Sequence, residues 1–564
     1  MDVTDEPMRA ADVLARRLYL GGCRYAFGMP GGEVLTLVDA LEQAGIRFVL
    51  ARHENAAGFM AEGTYHRTGA PGILVATVGP GALNGINVVE NARQDRVPMI
   101  VLTGAIDPDV AQVYTHQVLD QPQVFRPITK ASYTLTAGAA HVIADKAIGR
   151  ATQGRPGPVH IDVPISVADA AAAGKGVLRP PAMPLQPVQT PELHAAKAAV
   201  ASAKRPLIVA GVDAMQEGAP AAEALKRAVE TLGAPVITTY KAKGLLPEHH
   251  PLALGGAGLS PKADRILLPL VAKADVVIGF GYDPIEMRTG WQNPWDPLAQ
   301  TVIDITAEPN EHYMHQATHN IIGNCAASLD TLLPDAQLKT WEGGEQEAVR
   351  EALQDAFSAR DDWGPGVIIQ TCHDIFPDDV LITADSGAHR ILLSQMWACS
   401  FPRQLTQSSG LCTMGCAVPL ALGAQLVEPD RTVVSFSGDA GFLMVAGELS
   451  TAAELGLKTI FVVFVDASLA LIEMKQRQRQ MANIAVDFGH VDLAEVARGF
   501  GGQGHTVRSA TELKTALHEA MAASTFTLIA AEINGDVGHL ALALLHLDER
   551  KTGIDEDDKN RLQP

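Results

Sequence analysis

Cysteine is scarce: six residues (Cys23, Cys325, Cys372, Cys399, Cys412 and Cys416) are scattered over 564 positions, which excludes a disulfide scaffold. Cys412 and Cys416 lie one helical turn apart, but no His or Cys pair completes a zinc set, so the six are read as buried free thiols. No apolar run reaches the roughly 18 residues of a membrane-spanning helix. The opening stretch, MDVTDEPMRAADVLARRL, is acidic and then amphipathic, without an apolar leader. Together these absences indicate a cytoplasmic protein. Positive charge is also short. Lys and Arg number 44 against 64 Asp and Glu, for a net charge of -20, which argues against nucleic acid or an anionic membrane as partner. A locally basic site for a small anion stays compatible with that balance. What is abundant is apolar material, 47% of the residues against 19% charged, enough to exclude a disordered chain.

At roughly 150 residues per domain the length suggests three or four domains. Short β-branched runs at 47–51, 72–77, 98–103, 159–163, 206–210, 235–239, 275–279, 301–305, 380–383, 432–436, 459–465 and 527–533 read as buried parallel strands. Many are followed by segments of helical period, such as VAGELSTAAELG at 445–456. Strand–helix alternation of this kind defines an α/β chain with parallel sheets. A Pro-, Ala- and Gly-rich stretch at 171–192 and a polar one at 338–347 read as linkers. The resulting units are 1–180, 190–338 and 350–545, with a frayed C-terminal tail over 546–564.

The most informative segment is 435–468. A hydrophobic strand runs into Gly438-Asp439-Ala440-Gly441, and Asp466 stands 27 residues after Asp439, directly behind the next strand. Small residues at such a turn let backbone N–H groups approach a phosphate. Two carboxylates at the ends of adjacent parallel strands suit a hard cation such as Mg²⁺; two ordinary turn aspartates are the alternative. No GxxxxGK[ST] loop is present, and neither Gly79-Pro80-Gly81 nor Gly255-Gly256-Ala257-Gly258 completes a dinucleotide fingerprint.

Asp439-Ala440 with Asp466-Ala467-Ser468 resembles the diphosphate-binding motif of thiamine diphosphate (ThDP) enzymes, which normally reads GDG and then Asn. The segments GMPGGEVL (28–35), RHENAAGFMAEG (52–63), VGPGALNG (78–85), DRVPMIVLTG (95–104) and GRPGPVHIDVP (154–164) are similar to the pyrimidine-binding domain of the acetolactate synthase branch. The resemblance spans nearly the whole chain and keeps its order. It implies three doubly wound parallel-sheet α/β domains: pyrimidine-binding, central and diphosphate-binding. It also implies a homodimer or homotetramer with active sites between subunits. Glu54 then matches the glutamate that hydrogen-bonds the aminopyrimidine and so activates the cofactor. Pro30, Gly31, Gly79 and Asn84 fall in the pyrimidine-side motifs, and Gly438, Asp439, Ala440, Asp466 and Ser468 on the diphosphate side. Asp439, Asp466 and the Ser468 carbonyl match the Mg²⁺ ligands. Ser408–Gly415 is similar to SGGLGTMG, which makes Met414 the apolar wedge between the two cofactor rings. Gln117 and Lys130 match the Gln and Lys of FQE…PxxK, one at the cofactor and one in the substrate channel. His116 replaces the Phe of that motif, as a proton relay, an acceptor contact or a packed neutral ring.

The departures bear on substrate. Arg390-Ile391-Leu392 stands where the synthases have Gln-Met-Trp, and Met474-Lys475 where they have Gln-Trp. Arg390 and Lys475 are therefore candidate contacts for an anionic substrate. RFDDR is replaced within 281–288, so that Asp283 takes the place of the substrate arginine, with Arg288 nearby; the change also puts FAD in doubt. Ala440 and Asp466 replace Gly and Asn. The resemblance implies decarboxylation of a pyruvate-like 2-oxo acid with carboligation to a carbonyl acceptor. The alternatives are a non-oxidative decarboxylase, an acetyl-transferring lyase like sulfoacetaldehyde acetyltransferase, or a non-catalytic ThDP-binding protein.

Overall fold

The computed structural model describes residues 8–172, 185–359 and 363–533; most of the 171–192 linker and the C-terminal tail lie outside them. Each of the three units is built on a six-stranded sheet in which every pairing is parallel. In spatial order the first sheet runs Arg47–Leu50, Tyr25–Met29, Gly72–Ala76, Met99–Ala105, Pro158–Pro164, Ala131–Thr134. The third runs Leu405–Gln407, Leu381–Ala384, Val433–Gly438, Ile460–Val465, Thr527–Glu532, Gln503–Val507. Numbered along the chain within each sheet, both have the order 2-1-3-4-6-5, so the first and last domains are topological sisters. The central sheet has the order 3-2-1-4-5-6. One flank of the first domain and one of the central domain hold apolar clusters of their own, whereas the third domain shares one cluster with the central domain and another with the first, so that both faces of each sheet are covered.

In open parallel sheets, ligands bind beyond the strands' C-terminal ends where the strand order reverses. In both sister domains that point lies between the first and third strands in chain order. In the first it falls at Pro30–Gly31 and Thr77–Gly81, and in the last at Asp385–His389 and Asp439–Gly441.

All twelve predicted strands occur, but six more complete the sheets. Five of these are edge strands, including Ala131–Thr134, His319–Ile322 and Gln503–Val507, whose half-exposed and polar residues give no buried apolar run. The sixth, Tyr25–Met29, is interrupted by Gly28, whose Cα lies against Val75 of the neighbouring strand. A correction concerns 338–347, which is not a free linker. Trp341 is buried and donates from Nε1 to the Pro206 carbonyl at 2.7 Å, fastening the stretch to the central domain.

The first and third domains meet through helices Glu54–Thr68 and Ala417–Val427. The second is apolar on every side, as a fully enclosed helix must be. A Cβ on Gly63 would strike the Leu420 carbonyl, and one on Gly423 the Met60 carbonyl. These glycines therefore set how closely the helices approach.

Candidate active site

The turn after Tyr25–Met29 and the turn after Gly72–Ala76 face each other across Thr77. A Cβ on Gly31 would lie 2.8 Å from Thr77 Cβ, and Thr77 Oγ1 donates to Glu33 at 2.6 Å. On its other side the Thr77 methyl faces Gly81, where an added Cβ would also come within 3.0 Å of Glu54 Oε1. Glu54 opens helix Glu54–Thr68, is buried, and accepts from Asn84 Nδ2 at 3.0 Å. The backbone just before it is tied down from the third domain, where Glu448 Oε1 accepts from the N–H groups of Arg52 and His53 at 2.9 and 3.1 Å. Gly79 has φ +70°, a conformation that favours glycine. Its N–H donates to Gln121 Oε1 at 2.8 Å, and Gln121 Nε2 donates in turn to Asp162 and the Gly104 carbonyl. Gln117, itself at φ +57°, packs over the Gly79 turn. Gly31, Gly79, Glu54, Asn84 and Gln117 are thus one cluster, with Pro30 beside Gly31.

On the sister sheet, Val433–Gly438 and Ile460–Val465 are parallel neighbours with Gly438 opposite Phe464. That register brings Asp439 and Asp466 to one edge. Asp439 Oδ2 accepts from the N–H groups of Asp466 (3.2 Å) and Ala467 (2.8 Å), and Oδ1 from Ala440 (2.8 Å). Asp466 Oδ1 accepts from the Ser468 N–H at 3.2 Å. Burial, and then the neighbouring Asp439 carboxylate, push the Asp466 carboxyl up to about 7. Burial raises Asp439 also. Two carboxylates held together in partial burial, with no ion pair to either among the described residues, could seat a cation. Among the described residues no cluster of three His, Cys, Asp or Glu side chains suits a metal, so a cation here would need oxygens from a bound phosphate. Ala467 occupies φ +53°, a strained setting for alanine, and its N–H serves Asp439.

Residues absent from the sequence-derived set complete this side. Asp385, fully buried and pushed up to about 6 by that burial, accepts from the N–H groups of Ser386, Gly415 and Cys416. It thereby fixes the far end of the Met414 loop. A Cβ on Gly441 would strike its carboxylate. His389, pushed down to about 3 by burial and then by Arg390, stacks on Phe464 beside Gly438. Its Nε2 is buried without a partner among the described residues, as are the hydroxyls of Ser386 and Ser437. Unmet polar atoms around a glycine turn and a carboxylate pair fit a diphosphate with its cation. Only the Asp-x-Gly-x-His spacing at 385–389 signalled this group in the sequence.

The remaining candidates are engaged by other partners or are exposed. The Lys130 ammonium donates to the carbonyls of Gln153 and Arg155, both at 2.6 Å, and so braces a loop. Arg155 from that loop pairs with Asp213 of the central domain at 2.9 Å. Arg390 is buried beneath the Met414 loop, donating to the Ser408 carbonyl at 2.5 Å and facing Cys412 Sγ at 3.2 Å. Both geometries are those of supports, in place of the predicted substrate contacts. Lys475 is exposed, and so is His116, edge-on to Tyr114. Arg288 is exposed, and Asp283 is buried in an ion pair with Arg96 at 2.7 Å. The cysteines are free thiols and five are buried as predicted; Cys412, in the loop before Met414, is exposed, which corrects that reading.

The chain matches three family models in sequence: Thiamine pyrophosphate enzyme, N-terminal TPP binding domain over residues 8–124; the central domain over 193–332; and the C-terminal TPP binding domain over 385–531. It belongs to the thiamine pyrophosphate enzyme family. Within that family it falls in the acetolactate synthase-like branch. It is 31% identical to an acetolactate synthase of Bacillus subtilis (strain 168), over 91% of each chain. It is 29% identical to a catabolic acetolactate synthase of Raoultella terrigena, over 96% of this chain and 97% of the relative. It is also 31% identical to the large subunit of acetolactate synthase isozyme 1 of Escherichia coli (strain K12), over 88% and 89%. It is therefore a ThDP-dependent enzyme. Among the described residues no helix is long and apolar enough to cross a membrane.

Proposed function

We propose that the chain decarboxylates a pyruvate-like 2-oxo acid with ThDP and Mg²⁺, and joins the remaining fragment to a carbonyl acceptor. The observation that carries this reading is the pairing of two sister sheets. One presents Glu54 with Asn84 at its switch point, and the other presents Asp439 beside Asp466. When bound, ThDP supplies a carbon nucleophile for the 2-oxo carbonyl and an electron sink for CO₂ loss. Glu54 holds a proton at the aminopyrimidine side. Asp439, Asp466 and the Ser468 carbonyl hold Mg²⁺, and through it the diphosphate. Pro30, Gly31 and Gly79 leave room for the pyrimidine ring, Gly438 and Ala440 for the diphosphate, and Met414 fills the space between the rings. Gln117 and His116 stand over the same opening. In the balanced reaction CO₂ leaves, one carbon–carbon bond forms, and one proton is taken up on the new hydroxyl oxygen.

Non-oxidative decarboxylation is the second reading. Glu33, which accepts from Thr77 Oγ1 at the Glu54 edge, favours it as a carboxyl group able to relay a proton during aldehyde release. Among the described residues no hydrogen bond runs from Glu54 or Asn84 to the Asp439–Asp466 pair. Exposed apolar side chains such as Leu83, Val113, Met444 and Ile472 flank the two sites. These features support a second copy of the chain completing each site, in a homodimer or a tetramer.

The central domain is read as working without FAD. Its switch point is filled by its own loops: Asp213 N–H donates to the Gly281 carbonyl at 3.0 Å, and a Cβ on Gly211 would lie 2.6 Å from Tyr282 Cα. Thermal denaturation with and without ThDP and Mg²⁺, then product identification from a panel of 2-oxo acids with and without aldehydes, tests the whole reading. No stabilisation by the pair would refute it.

A further inference from the structure

The stretch that leads to Met414 is held from two domains other than its own. Asp95, buried at the end of helix Ile86–Gln94, accepts the Gly410 N–H on Oδ1 (2.8 Å) and the Ser409 N–H on Oδ2 (3.0 Å). The same Oδ2 lies 2.8 Å from the ammonium of Lys241, in the turn Tyr240–Ala242 of the central domain. A second tie begins at Glu62, on the helix that Glu54 opens. Glu62 accepts from Asn91 Nδ2 at 3.1 Å, and Asn91 Oδ1 accepts from Ser408 Oγ at 2.6 Å. Ser408 Oγ then accepts the Thr413 N–H at 2.9 Å, one residue before Met414. Lys241 also lies 3.8 Å from Glu62, so one ammonium faces both carboxylates that anchor the loop.

We propose that Lys241 and Asp95 are positioning residues for the cofactor pocket: the central domain, through this pair, fixes the loop that carries Met414. The proposal rests on ThDP binding with Met414 between its rings. Its physical basis is that Asp95 is buried where a lone carboxylate would be costly. Without Lys241 the buried carboxylate loses its counter-charge and draws in water or shifts towards it, which weakens its two bonds to the loop. Diphosphate binding should feel little of this, because Asp439 and Asp466 hang on a different strand pair. The pair separates ring geometry from cofactor affinity.

The test uses the full-length protein with ThDP and Mg²⁺, and the variants Lys241→Met, Lys241→Arg and Asp95→Asn. Three quantities are read: the melting temperature, ThDP affinity from tryptophan fluorescence, and the exchange rate of the bound cofactor's C2 proton by NMR. A misplacement near 1 Å costs on the order of 100-fold in reactions that depend on orientation, so Lys241→Met should slow exchange by at least about tenfold. Affinity should stay within about threefold, Asp95→Asn should slow exchange in the same direction, and Lys241→Arg should recover most of the rate. Exchange within about twofold of the wild type in Lys241→Met overturns the proposal. So does a parallel fall of exchange, affinity and melting temperature that arginine does not rescue, which would mark a merely structural pair. A wild-type protein that binds no ThDP refutes the underlying reading instead, and the proposal with it.

Discussion

Replacing Asp466 by asparagine removes one charge from the carboxylate pair and keeps the side chain's shape, including an oxygen for the Ser468 N–H. In the cofactor-free protein the Asp466 carboxyl is pushed from 3.8 up to about 7 by burial and by Asp439. Its folded-state affinity for a proton therefore exceeds that of the unfolded chain. The associated stability is fully present below the unfolded value and is lost as pH rises towards 7. A difference of about 3 pH units corresponds to about 4 kcal/mol at about 1.4 kcal/mol per unit. Partial hydration of the site reduces this to about 2 kcal/mol. The substituted asparagine cannot ionise, so that loss should vanish in the variant, whereas Asp385 and Glu448, also raised, titrate alike in both proteins; Asp439, which repels Asp466 in the wild type, is relieved of the same repulsion in the variant. The assay is the melting temperature of both proteins from pH 4.5 to 8.5, without cofactor and with ThDP and Mg²⁺. Without cofactor the wild type should fall relative to Asp466→Asn by about 5 °C between the ends of that range, at about 2–4 °C per kcal/mol. With ThDP and Mg²⁺ the gap should close, because the cation supplies the missing counter-charge. Parallel curves in the absence of cofactor would refute the reasoning.

Glu54→Gln should lower turnover by at least about 100-fold while the stabilisation by ThDP and Mg²⁺ persists, since the diphosphate side is untouched; unchanged turnover would remove Glu54 from its assigned role. Ala467→Gly relieves a φ of +53° and should raise the melting temperature, corresponding to about 1 kcal/mol; a lower melting temperature would show that the alanine is not strained. Lys130→Met leaves the carbonyls of Gln153 and Arg155 without their donor and should destabilise the protein by about 1–3 kcal/mol in chemical denaturation. A fall in kcat/KM with no loss of stability would instead return Lys130 to the substrate channel.

Much of this was legible along the chain because the signals are local. Most interior strands are buried on both faces and show as continuous apolar runs, and the Gly438–Gly441 turn with Asp466 behind the next strand already implied two neighbouring carboxylates at one sheet edge. Of the six edge strands only Arg47–Leu50 was legible; an edge strand is held by its one neighbour and needs no long apolar run. Asp385, Gln121 and Glu448 were missed for a related reason: each is defined by main-chain N–H groups far away in sequence that it satisfies. Lys130 and Arg390 show the converse. Both carry the right charge in a plausible motif, but Lys130 donates to two nearby carbonyls, and Arg390 to the Ser408 carbonyl and the Cys412 thiol.

The sequence by itself carried the α/β class, through periodicity and spacing, and the family, through the order of its motifs; the candidate site residues it named stay proposals. The tertiary structure alone decided strand order, and with it the switch points where Pro30, Thr77, Asp385 and Asp439 stand. It also decided which charges are available to a substrate. A charge's role depends on what surrounds it, and for Lys241, Arg390 and Asp283 those surroundings come from segments distant in the chain.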